Sequence, residues 1–189
     1  MISEEKMNLN FANFIAKLKE YDAYPEKMEN DDEFNNLLRY GSAATNKDSG
    51  MAYDGSLIET SVKIAVMAYN INSKLPVSLA VPTASFVKVA YLHQISMALM
   101  IVPNTTDWEL KKGWAYKFRD DNPKIRKGEY TAYLCAKYGI ELTEGEYEAI
   151  LSVDRDDDKQ FQFYGSMLSH ILSASSNLIK TEYRLKYKL

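Results

Sequence analysis

Three aspartates, Asp154, Asp156 and Asp158, stand at the one-three-five spacing with which a calcium loop presents its first oxygen ligands. The rest of that loop is wrong for the ion. Its sixth position needs glycine for a sharp turn and holds Lys159; its twelfth needs a bidentate glutamate and holds Gly165. The trio reads instead as a solvated acidic loop between helices. Two histidines, His93 and His170, are too few for a histidine-rich zinc site. A single cysteine, Cys135, excludes an internal disulfide and every multi-cysteine metal site. No phosphate-cradling glycine loop, dinucleotide fingerprint or HExxH is present. His93 lies in Ala90-Tyr91-Leu92-His93-Gln94-Ile95-Ser96 and, taken alone, reads as a core histidine bonded to backbone. Cys135 shares a helical face with Leu134 and Tyr138 and reads as a packing residue, because no neighbouring histidine would deprotonate it. Asn104-Thr105-Thr106 matches a glycosylation acceptor, a coincidence if the polar start MISEEKMNLN is no secretory signal.

The elements that must position these residues are nearly all helical. Phe11, Phe14, Ile15 and Leu18 share one face of a first helix, and Phe34, Leu37 and Leu38 mark a second that stops at Gly41. A third starts from an expected capping box, Ser56 to Glu59, and carries Leu57, Val62, Ile64, Ala65, Ala68 and Tyr69. Pro76 and Pro82 interrupt the pattern before an apolar helix expected from Ala84 to Met100. Between Pro103 and Pro123 the period changes. Trp108, Leu110, Gly113, Trp114, Tyr116 and Phe118 alternate around Lys111-Lys112-Gly113, which predicts a short β-hairpin near 108–118. Helical spacing resumes over 127–138, over 143–152 after a Thr143 to Glu146 capping box, and over about 160–187.

The expected fold is therefore all-α: a single-domain bundle of about seven helices over 1–189, with one small hairpin. Composition agrees, since 189 residues with 46% hydrophobic and 26% charged side chains suit one ordinary globular domain. No apolar run approaches the roughly 18–20 residues that cross a bilayer, so no membrane partner and a cytoplasmic location are expected. Residues 1–60 carry 6 basic and 12 acidic side chains, and 61–189 carry 17 and 14. Neither part has the clustered basic face of a nucleic-acid binder, which argues against such a partner. The local run Lys180, Arg184, Lys186 and Lys188 suits a solvated helix end, where cations oppose the dipole.

The order of segments adds a resemblance. Ser42-Ala43-Ala44-Thr45 through Tyr53-Asp54-Gly55-Ser56-Leu57-Ile58-Glu59-Thr60-Ser61 resembles the PAST…H…Y-x-G-G-L-x-E-H-S entry of the HD-domain metal-dependent phosphohydrolases common in bacterial and phage genomes. Val87 to Ile95 is similar to the helix bearing that family's His-Asp pair, and Trp108 to Phe118 to the hairpin inserted after it. Arg126-Lys127-Gly128-Glu129 resembles a G-H-G-E helix start, Leu142 to Ile150 the L-T-x-E-E-x-x-A-I segment, and Ser175-Ser176-Asn177-Leu178 an A-D-x-L helix. The likeness runs from about residue 40 to 180, so 1–40 are N-terminal helices before an HD-like core over 41–189.

That family's chemistry uses imidazoles and carboxylates around divalent metals that activate water. At the matching positions stand Ser49 or Asp48, Thr60, His93, Gln94, Lys127, Val153 or Asp154, and Ser176. One ligand is retained with the right chemistry, His93. The resemblance thus implies no catalytic residue, no metal and no other cofactor. It implies a relic pocket of Thr60, His93, Gln94, Arg126, Lys127 and Glu129. Either this pocket has filled in, the preferred reading, or Lys127 stands as a fixed cation with Arg126 and His93 to hold a phosphate or nucleotide. The expected function is a catalytically inactive structural or regulatory component, phage or mobile-element encoded. It would act in the cytoplasm or a phage particle through a protein partner or self-association. The aromatic residues near 108–118 and 183–187 either form a contact surface or pack the hairpin and the last helix onto the bundle. The alternatives are a nucleotide-binding pseudoenzyme and a residual phosphohydrolase in which Asp54, Asp154 and His93 converge on Mn or Mg.

Overall fold

Ser3 opens the first helix by accepting the Lys6 amide at 3.2 Å, which satisfies a donor the helix itself cannot pair. Helix α1 (Glu4–Glu20) buries Phe14 and Leu18. The computed structural model describes residues 2–122, 124–152 and 165–188. A short α2 (Glu26–Glu29) leads into α3 (Asp32–Tyr40), whose first turn is capped by Asp31 Oδ1 accepting the Phe34 amide at 2.9 Å. Asn35 ties the two together: its Nδ2 donates to the Met28 carbonyl at 2.9 Å, and its Oδ1 accepts from the Tyr24 hydroxyl at 2.8 Å.

After a 3₁₀ turn (Lys47–Ser49) come α4 (Ser56–Asn72), α5 (Thr83–Leu92) and α6 (Met97–Met100). Strands β1 (Ile101–Pro103) and β2 (Tyr116–Phe118), connected through α7 (Asp107–Lys111), make the one sheet among the described residues. Its register is antiparallel, with Ile101 opposite Phe118 and Pro103 opposite Tyr116. The chain then forms α8 (Lys127–Tyr138), α9 (Glu144–Ser152) and α10 (Met167–Lys188). The fold is all-α with a small β-hairpin, and seven of the described helices run nine residues or longer. Helix α4 lies at the centre, packed by α1, α3, α5 and α10, while α9 joins α5, α8 and α10. Buried apolar side chains from Phe14 to Tyr183 form one continuous cluster around it.

Three expectations are corrected. The capping box at Ser56 does not form, because both of its side chains serve tertiary contacts. Ser56 Oγ donates to the Met51 carbonyl at 2.6 Å and accepts the Ala43 amide, while Glu59 pairs with Lys63 and Tyr53. Gly55, at φ 79°, makes the entry turn instead. The helix expected over Ala84–Met100 breaks at His93. From Leu92 on, the amides of Ile95, Met97 and Ala98 bond three residues back, a tighter winding than an α-helix allows. The hairpin's first arm is Ile101–Pro103, not the segment around Trp108, which is helical. Asn104 folds that excursion by donating from Nδ2 to Glu109 Oε2 and the Trp114 carbonyl and accepting the Thr106 amide. The last helix begins at Met167, after two non-helical residues, and the expected start near 160 lies outside the described residues. Asp154, Asp156 and Asp158 lie outside the described residues.

Candidate functional site

The tightened turn at His93–Ser96 carries two of the positions singled out by the resemblance, His93 and Gln94, and bonds to the helices that carry Thr60 and Lys127. His93 is 1% exposed and its Nδ1 donates to the Ala90 carbonyl at 2.8 Å, so that nitrogen carries the proton. Gln94, also buried, points the other way: its Nε2 donates to the Leu57 carbonyl at 3.2 Å and Ser61 Oγ at 2.9 Å on α4. Ser96 Oγ donates to the Lys127 carbonyl at 3.0 Å and lies 2.9 Å from Thr131 Oγ1, which is itself 3.3 Å from the His93 carbonyl. The start of α8 is thereby fastened to the end of α5. Gly128 permits the approach of α9 on the other side, since a Cβ there would stand 2.5 Å from the Ile150 carbonyl oxygen.

The sequence-derived residues divide accordingly. The structure links Thr60's helix to Gln94 and joins the backbones of His93 and Lys127. Arg126 is exposed, and Glu129 turns back to accept the Arg126 amide at 3.2 Å as a helix cap. Thr60 Oγ1 and Ser176 Oγ are buried with no hydrogen-bond partner among the described residues. This donor set does not fit a divalent ion. The neutral hydroxyls of Thr60 and Ser176 and the amide of Gln94 stand where the resemblance expects an imidazole and two carboxylates, and His93, with Nδ1 bonded to Ala90, can offer at most one nitrogen, Nε2. Among the described residues no three His, Cys, Asp or Glu side chains are grouped so as to hold a metal. Asp54 is exposed and accepts the Tyr116 hydroxyl at 2.6 Å, whereas His93 is enclosed in the core.

A second constellation was not read from the sequence. Tyr53 donates to Glu59 Oε2 at 2.9 Å, Lys63 Nζ lies 2.9 Å from Glu59 Oε1, and the same ammonium donates to the Tyr183 hydroxyl at 2.8 Å. Lys63 also sits 4.2 Å from the centre of the Tyr183 ring. Burial pushes the Tyr53 phenol well above its ordinary range, reinforced by Tyr183 and Glu59. Burial opposes charge on Glu59, yet bonds from Lys63 and Tyr53 hold its carboxyl below the usual range. The Glu59–Lys63 spacing is a visible helical pair. Nothing local announces Tyr183, which the fold brings from 120 residues away.

In front of this network lies a cleft of about 520 Å³ lined by Lys47, Tyr53, Asp54, Pro103, Tyr116 and Tyr187, among others. It is bounded by the 3₁₀ turn, the hairpin and the end of α10. Gly50 sets its floor at φ 72°: a Cβ there would lie 2.6 Å from the Tyr183 carbonyl oxygen and 3.2 Å from Tyr187 Cβ. None of the six residues of the expected relic pocket lines this cleft. On the far side of Tyr116 a smaller groove of about 180 Å³ runs between Trp114, Glu109 and Phe118.

No family model, curated protein or solved structure matches the chain. Among the described residues no helix is long and apolar enough to cross a membrane.

Proposed function

We propose that the chain is a catalytically inactive helical protein of the HD type that works by associating with a protein partner or with itself. One observation carries the first half of this reading. Gln94, at the place where the resemblance expects a metal-binding aspartate, donates its amide to the Leu57 carbonyl and Ser61 Oγ and so ties the turn after α5 to α4. An amide that crosslinks the turn after α5 to α4 contributes to packing, and its replacement of a carboxylate removes the negative charge a divalent cation needs.

The association half is supported by the hairpin excursion, which leaves Trp108 58%, Trp114 43% and Phe118 53% exposed. Large aromatic side chains held at the surface are the residues most enriched in protein interfaces. A cytoplasmic or particle-bound setting belongs to the same reading.

Thermal melts with Mn²⁺, Fe²⁺, Mg²⁺ and a panel of nucleotides, paired with light scattering, test it. No metal or nucleotide shifts the midpoint, and the purified chain forms a defined oligomer that Trp108→Ser and Trp114→Ser weaken. A Mn²⁺-dependent rise together with phosphohydrolysis, both lost in His93→Ala, points to a residual enzyme and overturns the proposal. A nucleotide shift without turnover replaces it with a ligand-holding pseudoenzyme.

A further inference from the structure

The cleft between the 3₁₀ turn, the hairpin and α10 has the make-up of a small-molecule site, independent of the association reading. Its volume of about 520 Å³ falls within the roughly 300–1,000 Å³ of ligand pockets. Three tyrosines, Tyr53, Tyr116 and Tyr187, supply aromatic surface, and two charges of opposite sign, Asp54 and Lys47, line the same space.

The hydroxyl directions narrow the ligand. Tyr116 donates to Asp54 Oδ1 at 2.6 Å and Tyr53 donates to Glu59 Oε2 at 2.9 Å, so both phenol protons are turned onto carboxylates. They are not offered to an anion, and the polarised O–H bonds leave the rings richer in electron density. Aromatic rings beside a carboxylate favour a weakly hydrated cation, of which an alkylated ammonium is the type. Lys47 is exposed and forms no ion pair among the described residues. Its charge disfavours a bare cation and suits an acidic group on the same molecule.

We infer that this cleft binds a small zwitterion, an alkylated ammonium carrying an acidic group. The cationic end sits among the tyrosines and Asp54, and the acidic end meets Lys47. Each charged group of the ligand thereby faces its opposite, an arrangement that neither a simple cation nor a simple anion reproduces.

Isothermal titration of the full chain with phosphocholine, choline and inorganic phosphate tests this. Phosphocholine binds, choline binds at least tenfold more weakly, and phosphate gives no measurable heat. Asp54→Asn and Tyr187→Ala each weaken phosphocholine at least tenfold, and Lys47→Gln abolishes the difference between phosphocholine and choline. Tyr187 is exposed, so its variant keeps the wild-type melting temperature and reports on the cleft alone. Absence of heat from both ammonium probes, phosphate binding as tightly as phosphocholine, or unchanged affinity in Asp54→Asn and Tyr187→Ala overturns the inference.

Discussion

Lys88 Nζ lies 2.7 Å from Glu146 Oε2 in an ion pair that joins α5 to α9, with side chains only 15% and 4% exposed. Each partner has further bonds. Lys88 donates to the Glu141 carbonyl at 2.9 Å, and Glu146 Oε2 accepts the Thr143 amide at 3.0 Å, closing the capping box that starts α9. A pair so enclosed resists the loss of one member more than the loss of both, because a lone buried charge has no compensation.

Lys88→Met is therefore expected to lower unfolding stability by about 3 kcal/mol, and the double variant Lys88→Met with Glu146→Gln by clearly less than the sum of the two single changes. Urea denaturation of all four proteins gives the coupling directly. Additive losses would show that the two side chains do not interact.

Two glycines should respond in opposite senses to alanine. Gly128→Ala drives a methyl to 2.5 Å from the Ile150 carbonyl oxygen, and overpacking of this kind costs about 1–3 kcal/mol. At Gly145, inside α9, an added Cβ meets nothing within 4 Å, and Gly145→Ala gains about 0.5–1 kcal/mol from helix propensity. Melting temperatures that move the same way for both variants would contradict the packing described for α8 on α9.

Asp31 links stability to pH. The Phe34 amide that it accepts, assisted by the Tyr138 hydroxyl and Lys137, holds its carboxyl below the ordinary aspartate range although burial works against this. A folded-state value lower than the unfolded one means that the contribution is complete above about pH 3.9 and disappears as pH falls through the folded value. Asp31→Asn keeps a capping oxygen but loses the charge, so it is less stable than wild type at pH 7, and the gap narrows as pH falls below the ordinary aspartate range. Asp31→Ala also loses the cap, about 1 kcal/mol more. Thermal unfolding across that interval checks the sign; a gap that widens toward acid would reverse it.

Cys135 is fully buried, and burial pushes its thiol up to about 12. The thiolate is the reactive form, so at pH 8 a disulfide reagent modifies the native chain no faster than the chain opens. Rapid labelling without denaturant would place the sulfur at the surface.

Local signals in the sequence located most helices, because they rest on contacts within one turn. Gly41 stops α3, and Thr143 with Glu146 starts α9, as the pattern predicts. The errors fall where distant partners outbid the local rule. Ser56 was claimed by Met51 and Ala43, and the winding at His93 tightens between bonds from Gln94 to α4 and from Ser96 and Thr131 to α8. The neighbourhood of Gln94 on α4 was approached only through the resemblance, and the residue that bonds it, Ser61, was not among the positions it singled out. The cleft could not be read from the sequence, because Lys47, Tyr116 and Tyr187 come from three separated segments with no motif among them.

The central helix α4 completes its surroundings only with α10, more than a hundred positions later in the chain. On a ribosome adding about 5–20 residues per second, its apolar face therefore waits on the order of ten seconds for its last cover. During that interval the nascent polypeptide is a client for chaperones, and slowing translation beyond α4 should raise the yield of aggregate rather than of native protein.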